Sequence, residues 1–155
     1  MRYRLRTLMI VLATLLTLPT FGQDRTDPGE AIYGEWEIVE MVFRRTVQDL
    51  GGGPGGWFIF ERGGFDYLYN VGDRTKIDRM KANKSRAMDP CVIRPRELDI
   101  SNKDRPDDEP MKALWELKDG TLRVIWREGG GERPTDFDEA YKDPRQTLFV
   151  LKKAK

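Results

Sequence analysis

From Gly34 onward the chain alternates apolar and polar residues in short runs, and nowhere repeats apolar residues at the 3.6-residue period of an amphipathic helix. Turn-forming residues bound these runs, which predicts eight β-strands: 35–43 (EWEIVEMVF), 57–61 (WFIFE), 65–71 (FDYLYNV), 75–83 (TKIDRMKAN), 96–101 (RELDIS), 112–117 (KALWEL), 121–127 (TLRVIWR) and 147–152 (TLFVLK). The glycine-rich stretch 51–56 (GGGPGG) cannot hold regular structure. Asp119-Gly120 between two such runs is a hairpin signal, because glycine supplies the positive φ of a tight turn. On 121–127, Leu122, Val124 and Trp126 share one face, while Arg123 and Arg127 share the other. Phe65, Tyr67 and Tyr69 likewise line one face of their run. Short antiparallel strands at this spacing make a sandwich or a barrel. An all-β, single up-and-down barrel of about eight strands over 33–155 leaves no open edge, which suits a monomer without disulfides. Trp57, Tyr67, Trp115 and Trp126 are the candidate interior, or the wall of a ligand site.

The first residues follow a different pattern. Arg2, Arg4 and Arg6 precede an apolar run from Leu8 to Leu18, and Pro19 and Gly22 follow it. This is the layout of a secretory signal peptide over 1–22, cut before Gln23. The apolar run is shorter than the ~20 residues of a spanning helix, so a stable membrane anchor is not expected. The expected location is periplasmic or extracellular. Residues 23–32 (QDRTDPGEAI) read as a flexible lead-in.

Charge then narrows the partners. The chain has 27 Lys+Arg and 26 Asp+Glu. Three of the arginines lie in 1–22, so the remainder carries 24 basic against 26 acidic residues. That balance exerts no general pull on nucleic acid. Locally, 74–96 holds eight basic residues and 97–110 holds six acidic ones. These are two solvated faces that attract each other, or a docking strip for an anionic polymer or partner. No aromatic residue interrupts 74–96, which argues against a stacking platform for single strands.

Candidate chemistry is sparse. The chain has no histidine, and its only serines after residue 22 are Ser85 and Ser101, neither in a nucleophile motif. Enzymatic activity is therefore not expected; paired carboxylates acting as a hydrolase are the weakest reading. The acidic stretches 104–109 and 136–139 do not match a calcium loop, so no metal or cofactor is expected. The single cysteine, Cys91, is either a small buried hydrophobe or a reactive or bridging thiol. The stretch 129–137 (GGGERPTDF) has the glycines of a phosphate loop but lacks the following Lys-Ser/Thr, and Pro134 removes a backbone donor. It reads as a loop that pins the chain to the barrel.

An ordered set of residues carries a resemblance. Gly34-Glu35-Trp36 opens the first strand; Asp89-Pro90, Pro95 and Leu98-Asp99-Ile100 follow. Then come Trp115-Glu116-Leu117, Asp119-Gly120, Arg133-Pro134 with Phe137, and a Val150-Leu151-Lys152 ending. Together they resemble a lipocalin-like domain family of uncharacterised exported proteins abundant in planctomycetes, across about 34–153. In this chain the family's Gly-Asp turn is reversed to Asp119-Gly120. The resemblance implies a lipocalin-like barrel whose signature residues are Gly34, Trp36, Asp89, Pro90, Pro95, Asp99, Gly120, Arg133, Pro134 and Phe137. It also implies that Arg133 covers Trp36, and it assigns no ligand. The functional expectation is a binding module for a small apolar or amphipathic molecule. The alternative is a solid barrel whose surface engages a protein or an anionic polymer.

Overall fold

The computed structural model describes residues 27, 29–50, 56–69 and 88–154. Its strands are β1 (Gly34–Phe43), β2 (Thr46–Asp49), β3 (Gly56–Glu61), β4 (Gly64–Tyr69), β5 (Asp89–Arg94), β6 (Glu97–Ile100), β7 (Met111–Lys118), β8 (Thr121–Arg127) and β9 (Gln146–Lys153). A 3-10 helix covers Phe137–Tyr141. β1 and β3 to β9 pair antiparallel in sequence order, and β9 pairs back onto β1. The result is a closed up-and-down barrel of eight strands, with β2 as one further strand. β2 and β3 lie end to end along the same edge of β1: Asp49 stands opposite Glu40, and Trp57 opposite Glu37.

Alternation decides what fills the barrel, with one local exception. On β1, Trp36 and Ile38 face inward, and the register against β9 then shifts between Ile38 and Glu40. This bulge adds one residue and reverses the faces beyond it. Met41 and Phe43 therefore point inward, while Val42 packs outside with Phe137, Ala140 and Leu148. Phe58 sits at the centre of the interior. It stacks on Trp126 at 5.5 Å between ring centroids, and it meets Phe65, Tyr67 and Phe149 at about 5 Å. Side chains thus occupy the middle of the barrel.

The two ends differ. At one end the hairpins are two residues long: Arg62-Gly63, Pro95-Arg96 and Asp119-Gly120. The segment before β1 closes this end. Ile32 is fully buried, and Trp36 Nε1 donates to the Ile32 carbonyl at 2.7 Å. Tyr33 donates its hydroxyl to Asp27 at 2.8 Å. The folded part therefore starts before residue 33, and Gly29 to Ile32 belong to it rather than to a flexible lead-in. The apolar side chain of Ile32 has a slot beside Trp36, which the polar composition around it conceals. At the other end, the mouth, the chain leaves β4 at Tyr69 and returns at Asp89, and it makes the connections 101–110 and 128–145.

The predicted strands on 35–43, 57–61, 65–71, 96–101, 112–117, 121–127 and 147–152 correspond to β1, β3, β4, β6, β7, β8 and β9. The predicted strand 75–83, the last residues of 65–71 and most of the basic stretch lie outside the described residues. Two strands have no counterpart in the prediction. β5 carries Pro90, whose missing donor costs little where the β4 ladder is only two residue pairs long. β2 has no apolar alternation, and its residues are mostly exposed.

Candidate functional site

The mouth holds a pocket of about 310 Å3. Its walls come from five strands and the residue after one of them. Met41 and Phe43 stand on β1 beyond the bulge, Gln48 on β2, Tyr67 on β4, Trp126 on β8, and Thr147 and Phe149 on β9. Glu128 completes the rim one residue after β8. Register explains the grouping: Gln48 stands opposite Met41, and Thr147 opposite Trp126, so each inward pair adds one layer of wall. β2 thereby raises the barrel wall on one side of the mouth. Trp126 and Phe149 lie 4.5 Å apart, and Tyr67 meets both edge-on at 5.9 and 5.6 Å. Thr147 is almost fully buried and donates its hydroxyl to Glu128 at 3.1 Å.

The four candidate interior aromatics take three different places. Tyr67 and Trp126 line the mouth pocket. Trp115 faces inward near the closed end, where its Nε1 donates to the carbonyls of Arg94 and Glu97 at 2.9 and 3.2 Å. Trp57 is outside: Phe58 and Phe60 take the inward positions of β3, so period-two alternation puts Trp57 and Ile59 on the outer face with Leu68 and Met88. The run WFIF is apolar at both parities, so its composition did not reveal which side faces inward.

Arg133 does not cover Trp36. Lys153 does, with Nζ 4.6 Å from the ring, and the same ammonium donates to the Tyr33 carbonyl. Arg133 lies against the outer face of β6 and β7 instead. Its guanidinium reaches Asp99 at 2.5 Å and the carbonyls of Leu98 and Ala113, clamping the two strands together. The physical reason is charge. Asp99 and Glu97 both point outward from β6 and draw Arg133 to them, while β9 ends with a lysine opposite Trp36. Asp99 also pairs with Arg94 at 2.6 Å. Burial raises the Asp99 carboxyl, but the hydrogen bonds from Arg133 and Arg94 outweigh it and hold the group below the usual range.

The other signature residues are architectural. Gly34 opens β1 at φ 110°, and Gly120 completes the β7–β8 turn at φ 73°. Asp89 accepts from the Lys103 backbone at 3.1 Å, and Pro95 sits in the β5–β6 turn. Pro134 is buried. Phe137 starts the 3-10 helix and packs outside the barrel, with the Arg123 guanidinium 4.3 Å from its ring. Asp136 caps that helix and Glu139 closes a reciprocal capping box. The stretch 129–137 is thus a crossing from the mouth to the outer wall. Gly129 to Gly131 border a second, polar groove of about 550 Å3 with Ser101, Asn102 and Arg105, but Arg105 is engaged by Asp108 at 3.3 Å.

Cys91 is buried in the interior, and burial pushes its thiol up to about 11. A thiol of that kind is a poor nucleophile at neutral pH. Among the described residues no three His, Cys, Asp or Glu gather as a metal site. No helix among them is long and apolar enough to cross a membrane. Sequence reasoning missed Phe43, Gln48, Glu128 and Thr147, because only barrel closure and the β1 bulge bring them to one place. Compared with models of protein families, with curated proteins and with solved structures, the chain shows no match.

Proposed function

We propose that the protein is a binding module that takes a small apolar or amphipathic molecule at the mouth of its barrel. The observation that carries this reading is the aromatic-walled pocket of about 310 Å3 above an interior filled by side chains. Its volume lies at the lower end of small-molecule sites, and its apolar walls with a few polar groups follow their usual composition. The site is open, so it suits a ligand that keeps one end in water. The lipocalin-like resemblance agrees with a ligand at a barrel mouth, as an analogy of fold. Export with cleavage before Gln23 is part of the same proposal; the N-terminal mass of the native protein tests it.

The direct test is titration with fatty acids, retinoids and an environment-sensitive apolar dye, read by tryptophan emission. Trp126 lies in the wall, so an occupant changes its surroundings. Emission unchanged by all of them, and by a cationic amphiphile, at tens of micromolar ends the small-molecule reading. The filled interior favours one alternative, a solid barrel that engages a protein or an anionic polymer through its surface.

A further inference from the structure

The mouth pocket has a charge as well as a shape, and the two together select a ligand class. Glu128 is drawn to the rim by its hydrogen bond from Thr147, which itself faces inward beside Trp126. Among the described residues no basic side chain forms an ion pair with Glu128, although most other carboxylates around the 128–145 connection are engaged. Asp143 holds Arg127 and Arg145, and Glu139 accepts from Thr135 and Gln146. Below the carboxylate stand the rings of Phe43, Tyr67, Trp126 and Phe149. Aromatic faces carry negative potential and attract cations, most of all quaternary ammonium groups held by several rings.

We propose, on the reading that this pocket binds a small molecule, that its ligand is an amphipathic organic cation, an amine or a quaternary ammonium. The apolar body lies against Trp126 and Phe149, and the charged head sits between Glu128 and the rings of Tyr67 and Phe43. An anionic amphiphile of the same shape would bring its own charge beside the exposed Glu128 carboxylate at the rim, a like-charge contact that works against it. One cation is already at this rim: the guanidinium of Arg44 lies 5.1 Å from the Phe43 ring. Arg44 is exposed on the β1–β2 turn, so its charge is screened by water and its long side chain can leave the ring. It competes with the ligand head and does not pair with Glu128.

The test uses the full chain and three probes with one body: 3-phenylpropyl-trimethylammonium, 3-phenylpropanol and 3-phenylpropanoate, titrated against tryptophan emission. The expected order is ammonium, then alcohol, then carboxylate, with the ammonium about tenfold tighter than the alcohol, as a cation–π and carboxylate contact supplies. Glu128→Gln should cut most of that advantage, weakening the ammonium far more than the alcohol. Arg44→Ala should tighten the ammonium alone. If the alcohol and the carboxylate bind as well as the ammonium, or Glu128→Gln changes nothing, the cation selection is overturned while the pocket reading stands. If none of the three binds, the pocket reading falls, and this inference falls with it.

Discussion

At the closed end of the barrel, three connections of two residues each join neighbouring strands, and Ile32, Trp36 and Trp115 fill the space they surround. At the mouth, the same strands are joined by the long connections 101–110 and 128–145, and the rings of Tyr67, Trp126 and Phe149 stop short of the rim. Short turns leave the chain little freedom, so the closed end is held by apolar packing and by indole hydrogen bonds to carbonyls. Long connections need their own fastenings, and here these are ionic: Arg127 to Asp143 at 2.8 Å and Arg133 to Asp99 at 2.5 Å. One end makes the fold and the other carries the site, a division that loops on a rigid scaffold commonly show.

Trp36→Ala breaks the comparison at its strongest point. The indole is almost wholly buried, bonds the Ile32 carbonyl and supports Lys153 on its face. Its removal should cost about 3–5 kcal/mol, the range of large-to-small changes in a core. Urea denaturation measures it. A loss below ~1 kcal/mol would show that the closed end does not anchor the barrel. Arg133→Ala should cost about 1–3 kcal/mol, because it removes the clamp on the Leu98 and Ala113 carbonyls and leaves Asp99 with Arg94 as its remaining arginine partner. A double-mutant cycle with Asp99→Asn should be non-additive, and one with Trp36→Ala should be additive, since the two residues share no partner. Coupling between Arg133 and Trp36 would restore the contact that the family resemblance implies.

Acid should loosen the 128–145 connection before the β7–β8 hairpin. Asp143 is held down to about 2, chiefly by the Arg145 backbone N–H and side chain, and Asp99 and Glu139 are also lowered. Because these folded values lie below the unfolded ones, near ~4, their stabilisation is fully present above about pH 5 and is lost as pH falls through the folded values. Hydrogen exchange should therefore quicken in 128–145 between pH 4 and 2.5, after correction for intrinsic rates, while 115–126 stays protected. Equal loss in both segments would show that the connection and the hairpin open as one unit.

Strand faces and tight turns were far more legible in the sequence than the mouth. Leu122, Val124 and Trp126 alternate cleanly and all face inward, and Asp119-Gly120 makes the turn its composition predicts. The β1 bulge left no mark of its own in EWEIVEMVF, yet it decides that Met41 and Phe43 reach the pocket while Val42 does not. Glu128 and Thr147 lie nineteen residues apart and meet only because β8 and β9 are neighbours. Local pattern reports which face of a strand is apolar. It does not report what closure sets side by side.

The smallest expected effect lies in the β1–β2 turn. Arg44 and Arg45 both have positive φ, 50° and 67°, in a two-residue hairpin. Such turns favour Asn-Gly, because a side-chain Cβ in the left-handed region costs about 1–2 kcal/mol per residue. Both arginines are exposed, and β2 beyond them is short and mostly exposed, so the turn weighs heavily beside the four-pair ladder that holds β2 against β1. Arg44→Asn with Arg45→Gly should therefore stabilise the protein by about 1 kcal/mol, read as a higher urea midpoint at an unchanged slope. No gain would mean that the arginines make compensating contacts in the folded state. If the change stabilises the fold and also alters the affinity of the mouth for charged probes, then strain at this turn is kept for what the two side chains do at the rim. If it stabilises the fold and leaves binding untouched, the mouth tolerates strain without using it, and the contrast between the two ends reduces to loop length.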